Sequence, residues 1–252
     1  MAAEGAEYEA VLKDAQRLGL AEPDPTADVE GYDAAYKLSI MGSLAFHSRV
    51  FVEDVYREGI TKVSAEDIAF GREMGYVLKL LAIGKDNGSS IEARVHPAFL
   101  PESHPLARVD GSLNAVYLYG HSFKDMMLEG RGAGDAPTAS AIVGDIIQAV
   151  QNAVHPMPVL RDVPLPVADD WHSKYFIRMK AKDAPGVLAE VTGLMAKENV
   201  SVSAMLQKGA AEDGKATLIM ITHSAPESAL QRVVKSLNPA ICRVENVIRV
   251  EE

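Results

Sequence analysis

Apolar positions fall at helical spacing in some stretches of the chain and alternate in others. Residues 5–19 set Tyr8, Val11, Leu12, Ala15 and Leu18 on one side of a helix directed at a core and ended by Gly19. A second helix, from Gly31 or Tyr32 to His47, carries Ala34, Ala35, Leu38, Met41, Gly42, Ala45 and Phe46 on its inner side. Ser64-Ala-Glu-Asp67 has the spacing of a capping box, so a third helix starts there and runs toward Gly71 or Met74. Val77 to Ile83 is an apolar run, and Ile91 to His96 alternates as a strand. Leu113 to Tyr119 and Lys124 to Glu129 read as strands around Gly120-His121. Pro137 suits the first turn of a helix that continues to Val154. These patterns predict a mixed α/β body of antiparallel-type strands against helices.

His155-Pro-Met-Pro-Val-Leu-Arg-Asp-Val-Pro-Leu-Pro166 interrupts the pattern, because its prolines remove amide donors and fix backbone angles. The expected division is a first body over 1–154, a linker over 155–172 and a second unit over 173–252. A stretch this short is also compatible with a crossing of one domain's surface. Beyond it the order is clear. A strand over Tyr175 to Ala181 turns at Asp183-Ala-Pro-Gly186 into a helix with Val187, Leu188, Val191, Leu194 and Met195 inward. Strands at Ser201–Gln207 and Ala216–Thr222 flank the loop Gly209 to Gly214. A helix opened by Pro226 turns Leu230, Val233, Val234 and Leu237 inward and stops at Asn238-Pro239. A last strand covers Ile241 to Val250. The fold class is therefore α/β (α+β), a mixed-sheet body followed by a βαββαβ, ferredoxin-like unit.

That unit resembles the ACT domain, a small ligand-sensing module of amino-acid metabolism. The resemblance rests on Asp183, Pro185, Gly186, Val187 and Leu188, and it makes Asp183, Gly186, Val187 and Leu188 candidates for contact with a regulatory ligand. Gly186 would let the backbone pass close to a ligand, and the helix start offers free amides to a carboxylate. A tight turn that merely starts a helix explains the same residues.

Lys and Arg total 25 against 35 Asp and Glu in the 252 residues, a net charge of −10. That acidity argues against nucleic acid and anionic membrane as partners. No apolar run reaches the ~18–20 residues of a membrane span. The amino terminus lacks a signal-peptide layout, and the expected location is cytoplasmic. The single cysteine, Cys242, precludes an intramolecular disulfide and reads as a buried, inert thiol. The histidines are dispersed without metal-ligand spacing, so no metal is expected.

Two segments carry candidate chemistry. Leu20 to Asp33 is crowded with carboxylates and leads into the helix that bears Lys37. Asp33 and Lys37 lie four apart on one helix face and form either a surface ion pair or part of a catalytic cluster. Gly130-Arg-Gly-Ala-Gly134, before Pro137, is either a connector or a loop lying against a phosphate or cofactor. It lacks the spacing of a dinucleotide fingerprint.

Taken together, Glu22-Pro-Asp-Pro-Thr-Ala-Asp28, Gly31-Tyr-Asp-Ala-Ala-Tyr-Lys37, Arg94-Val-His-Pro97, His104-Pro-Leu-Ala107, Asn114-Ala-Val116 and Gly130-Arg-Gly-Ala-Gly134 with Pro137-Thr-Ala-Ser140 are similar to homoserine dehydrogenase across nearly all of 1–154. The resemblance implies interconversion of L-homoserine and L-aspartate 4-semialdehyde with NAD or NADP, on the route to threonine and methionine. It implies Glu22 and Asp33 as substrate-binding residues, Glu22 for the substrate ammonium. Asp28 and Lys37 become catalytic, at the reacting oxygen, and Gly132, Ala133 and Gly134 lie beside the cofactor. L-Threonine at the ACT-like unit and a homo-oligomer are further implied. Met1 aligns beyond the family's dinucleotide-binding domain, so the resemblance implies a chain without the main cofactor cradle and inactive alone. With its partner domain gone, the helix after Pro137 is expected to expose Ala141, Ile142, Ile146, Ile147 and Val150. The alternative is a free-standing amino-acid-sensing or assembly protein that uses the ACT-like unit.

Overall fold

The structure, a computed structural model, describes residues 8–17, 22–132, 134–151, 159–210 and 214–252. The first part contains α1 (Tyr8–Arg17), α2 (Thr26–Val29), α3 (Tyr32–Ala45), β1 (Tyr56–Arg57), α4 (Ala65–Glu73), β2 (Tyr76–Asp86), β3 (Ile91–Pro101), β4 (Leu113–Gly120), β5 (Lys124–Arg131) and α5 (Asp135–Gln151). The second contains β6 (His172–Lys182), α6 (Val187–Lys197), β7 (Val202–Ala210), β8 (Lys215–Thr222), β9 (Ala225–Pro226), α7 (Glu227–Ser236) and β10 (Cys242–Val250). The βαββαβ reading is correct, with strand order β10-β6-β8-β7.

Period-two alternation gives the tail sheet two different faces. Tyr175, Ile177, Met179 and Ala181 of β6 pack with Leu218 and Met220 under α6 and α7. Phe176 of the same strand, with Ile219, Ile221 and Ile248, faces the other way and meets Phe70 of α4 and Phe99 of β3. Phe99 and Phe176 pack edge to face with centroids 5.0 Å apart. Gly71 permits this approach, since a Cβ there would come within 2.2 Å of the Phe99 ring. This cluster therefore draws on both sides of the proline-rich stretch. Cys242 is buried with its Sγ 3.5 Å from Met179 Sδ, and burial pushes its thiol up to about 11.

The four strands expected in the first part are present and pair antiparallel. β2 and β3 form one antiparallel hairpin, and β4 and β5 form a separate two-stranded ribbon. The free edge of β3 is shared by two parallel neighbours. β1 pairs at Arg94 and Val95, β10 pairs at Ala98 and Phe99, and Pro97 lies in the gap between them. One sheet thus runs from the first part into the tail.

Buried charges hold this junction. Arg178 of β6 bonds the Asp67 carboxylate of α4 through Nε at 2.6 Å, and its Nη1 reaches Glu66 at 2.8 Å. Asn246 of β10 donates to the same Asp67 at 2.9 Å. The expected capping box at Ser64 and Asp67 is present, so one carboxylate caps its own helix and anchors the tail. Arg94, fully buried, bonds Glu251 at 2.6 Å. Its Nη1 also lies 2.8 Å from His96 Nε2. An arginine can only donate, so Nε2 accepts and His96 Nδ1–H donates to the Pro97 carbonyl 3.0 Å away. Burial, then the Arg249 and Arg94 charges, hold His96 well below the usual imidazole range, so this ring stays neutral.

Two inner faces require correction. Met41 and Ala45 of α3 are exposed, because the sheet below buries Ala35, Leu38 and Gly42 at i, i+3 and i+7, with Ala34 and Phe46 packed partly beside them. α1 buries none of its described residues. Leu18 and Gly19 lie outside the described residues.

Candidate functional site

Gly31 sets the geometry of the acidic segment. It takes φ +76° at the start of α3, and a Cβ there would meet the Val95 side chain at 2.9 Å. Both the left-handed angle and the close approach require glycine. The chain therefore turns sharply between α2, which bears Asp28, and α3, which bears Asp33 and Lys37. Asp24 braces α2 by accepting hydrogen bonds from Thr26 N at 3.1 Å and Thr26 Oγ1 at 2.6 Å, which hold its carboxyl below the usual range. Glu22 lies just ahead, its carbonyl accepting from Gln16 Nε2 of α1 at 3.0 Å.

With Ala35, Leu38 and Gly42 against the sheet, Asp33 and Lys37 point away from it. They form an ion pair at 2.6 Å with side chains 48% and 57% exposed. Of the two sequence readings, ion pair or catalytic cluster, the first is present and leaves the second open. Among the described residues, neither the Glu22 nor the Asp28 carboxylate has an ion-pair partner, and both residues are exposed. The structure joins Asp33 to Lys37 directly, while Glu22 and Asp28 are exposed on the segment that precedes their helix. Beside them, Tyr32, Tyr36, Ile40 and Leu44 form an exposed stripe at i+4 spacing.

Ala133 of the glycine-rich loop lies outside the described residues. At Gly132, a Cβ would meet the Asn114 side chain at 2.2 Å, and the Gly132 amide donates to Ser112 O at 3.3 Å. Gly134 takes φ +115°, and its carbonyl accepts from Thr138 N at 3.1 Å in the first turn of α5. The connector reading thus accounts for both glycines and leaves the reading of a loop beside a cofactor open; Asp135 puts negative charge at the helix start. α5 has no buried residue among those described, and Ile142, Ile146, Ile147 and Val150 are exposed, as expected.

In the tail, Gly186 sits at the start of α6 with φ +93° and open space where a Cβ would be. Backbone angle alone demands the glycine. Gly186→Ala is expected to cost about 1–2 kcal/mol, read as a lower urea midpoint; an unchanged midpoint would show that the turn relaxes freely. Val187 points into the core under α6, Leu188 packs partly against it, and Asp183 Oδ1 accepts from Gln207 Nε2 of β7 at 3.2 Å. Among the described residues no group of His, Cys, Asp and Glu could hold a metal ion, and no helix is long and apolar enough to cross a membrane.

Sequence reading missed β1 and the buried residues around it. β1 is two residues long, too short for a periodic signal, and buried arginines look like surface residues in an alternating strand.

Comparison with known proteins gives a consistent result. Residues 1–147 match the family model described as homoserine dehydrogenase, and residues 175–241 match the ACT domain. The chain is 44% identical to a homoserine dehydrogenase of Corynebacterium glutamicum over 98% of its own length and 58% of that protein's. It is 37% identical to one from Bacillus subtilis over 100% of its own length and 60% of that protein's. The crystal structure of a homoserine dehydrogenase from Thiobacillus denitrificans superposes with a TM-score of 0.90 at 36% identity, covering 100% of this chain and 60% of that one. The chain thus spans about three-fifths of the length of these relatives and matches their carboxy-terminal portion.

Proposed function

The chain belongs to the homoserine dehydrogenase family, and on that premise we propose that it supplies the substrate site and an ACT-type regulatory unit for interconversion of L-homoserine and L-aspartate 4-semialdehyde. The observation that carries this reading is the half-exposed Asp33–Lys37 pair, with the exposed carboxylates of Glu22 and Asp28 on the segment just ahead of it, neither ion-paired among the described residues. A substrate bearing an ammonium group needs a carboxylate partner, and Glu22 takes that role. Asp33 holds Lys37 in place. The Lys37 ammonium then stabilises negative charge developing on the substrate oxygen, with Asp28 beside it for proton movement.

NAD or NADP supplies the hydride chemistry in this proposal. In this reading Gly132, Ala133 and Gly134 lie beside the cofactor, whose main cradle belongs to the portion of the relatives that the match leaves uncovered. Exposed Ile142 and Ile146 of α5 and Tyr36 and Ile40 of α3 support docking of that portion here. A two-stranded ribbon is marginal alone, so β4–β5, with Tyr119 and Phe123 exposed, supports a homo-oligomer. The division into a substrate part (1–154), a connector (155–172) and an ACT-like unit (173–252), with L-threonine as effector near Asp183 and Gly186, completes the reading.

The test joins this chain to the amino-terminal portion of the Corynebacterium glutamicum relative and follows nicotinamide reduction on addition of L-homoserine. Turnover by the joined enzyme and none by the chain alone is expected. A folded joined enzyme that binds cofactor but ignores homoserine would reject the assignment. If the chain alone then binds L-threonine by calorimetry, it is a free-standing sensor instead.

A further inference from the structure

Strand β1 alternates its side chains between two neighbours. Tyr56 and Glu58 turn toward the tail, where Arg249 of β10 donates to the Tyr56 hydroxyl at 3.0 Å and to the Glu58 carboxylate. Arg249 also clamps Glu227 of α7 through Nε at 3.1 Å and Nη2 at 2.6 Å. Burial opposes its charge, but Glu227 and Glu58 hold Arg249 above the ordinary guanidinium range, and burial pushes the Tyr56 hydroxyl up to about 12. Arg249 and Tyr56 therefore keep one charge state across the physiological range.

Arg57, between them, turns the other way. Its Nη1 donates to the Glu30 carbonyl at 2.7 Å, and its guanidinium carbon lies 3.4 Å from the Tyr32 ring centroid. Its stem lines the tight space over Gly31. The following residues add Ile60 N to Val29 O at 2.8 Å and Thr61 Oγ1 to Glu30 Oε1 at 3.0 Å. Residues 57–61 therefore grip 29–32, the turn that sets Asp28 on α2 relative to Asp33 and Lys37 on α3.

We propose that Arg57 is a positioning residue for the substrate site, and that β1 transmits the placement of the tail strand β10 to that site through Arg249, Glu58 and Arg57. The proposal rests on the reading of Asp28, Asp33 and Lys37 given above. A planar guanidinium stacks on a ring and donates a directed hydrogen bond at once, which a lysine cannot reproduce. Along β1, an open cleft of about 430 Å³ separates it from Gln231 of α7 and Glu245 of β10. Close packing therefore does not lock β1 to the tail on that side; the Arg249 bonds tie β1 to β10, and Asn246 of β10 donates to the Lys62 carbonyl at 3.2 Å beyond it.

Hydrogen exchange on the 252-residue chain tests the grip without depending on activity. In Arg57→Ala and Arg57→Lys, amides of residues 29–36 are expected to exchange roughly tenfold faster, with α6 and α7 unchanged. Unchanged exchange at 29–36 overturns the positioning role. Glu58→Gln touches none of those residues, yet it is expected to speed the same amides; a normal pattern there overturns transmission through β1. Should the Arg57 variants not fold, Tyr32→Ala with Tyr32→Phe as its ring-preserving control reads the same grip. Faster exchange in the alanine variant alone is expected, and equal exchange in the two overturns it.

Kinetics of the joined enzyme decide relevance to the reaction. Arg57→Ala is expected to lose roughly ten- to a hundredfold in kcat/KM for L-homoserine, with KM for the nicotinamide cofactor unchanged. Full kcat/KM alongside faster exchange overturns the positioning role in the reaction. A wild-type joined enzyme without turnover would remove the functional reading, and the proposed role in the reaction with it, while exchange still decides the grip.

Discussion

Replacing Lys37 with alanine in the joined enzyme is expected to lower kcat and kcat/KM for L-homoserine together by roughly 10²–10³, the range seen when one donor to a developing oxyanion is removed. The two parameters fall together because the ammonium acts on charge that is absent from bound homoserine. Stability should barely move. The pair with Asp33 is half exposed and spaced i,i+4, which is worth about 0.3–0.5 kcal/mol. Lys37→Arg should retain part of the rate, since it keeps a cation at the same face. Steady-state kinetics beside a thermal melt would separate the two effects. A kcat within about threefold of wild type would leave Lys37 with the surface ion pair alone.

Asp67→Ala is expected to show the opposite profile, a loss of about 3–5 kcal/mol, read as a large drop in urea midpoint. Asp67 is fully buried, and its removal strips Arg178 of its closest counter-charge and Asn246 of an acceptor. The same carboxylate predicts acid sensitivity. Burial opposes its ionisation, but hydrogen bonds from Arg178, Asn246 and Ser64 hold it below the usual carboxylate range. A depressed folded pKa contributes stability that is fully present above the unfolded value, about 3.9, and is lost as pH falls through the folded value. Urea midpoints of wild type should therefore fall below about pH 4 more steeply than those of the Ala variant. Parallel pH profiles, or a midpoint loss equivalent to under about 1 kcal/mol, would show that water or Glu66 replaces the lost carboxylate.

How legible the fold was depended on length and locality. The tail read correctly because each of its elements is long enough to show a period and its turns carry Gly186, Pro226 and Asn238-Pro239. The helix that bears Lys37 read correctly for the same reason. Its solvent side did not, because Met41 and Ala45 are apolar residues facing outward. Glu92, Arg94 and His96 alternate as though one face of β3 met solvent, yet Arg94 and His96 are fully buried, with Trp171, Arg249 of β10 and the Glu251 carboxylate gathered at that end of the sheet. The polar face turned out to be an internal ion network.

Of the candidate site, the residue types, their order and their family resemblance were in the sequence, and so was the i,i+4 relation of Asp33 to Lys37. These are local properties, set by helical pitch and by glycine at a left-handed turn. The pairing of β3 with β10, the Asp67–Arg178 anchor and the Arg57 grip on the α2–α3 turn came only with the tertiary structure. Each brings together residues more than twenty positions apart, and two-residue pairings and buried counter-charges leave no period along a chain. Periodicity reports what an element does with its own face, and only packing reports which distant side chain meets it.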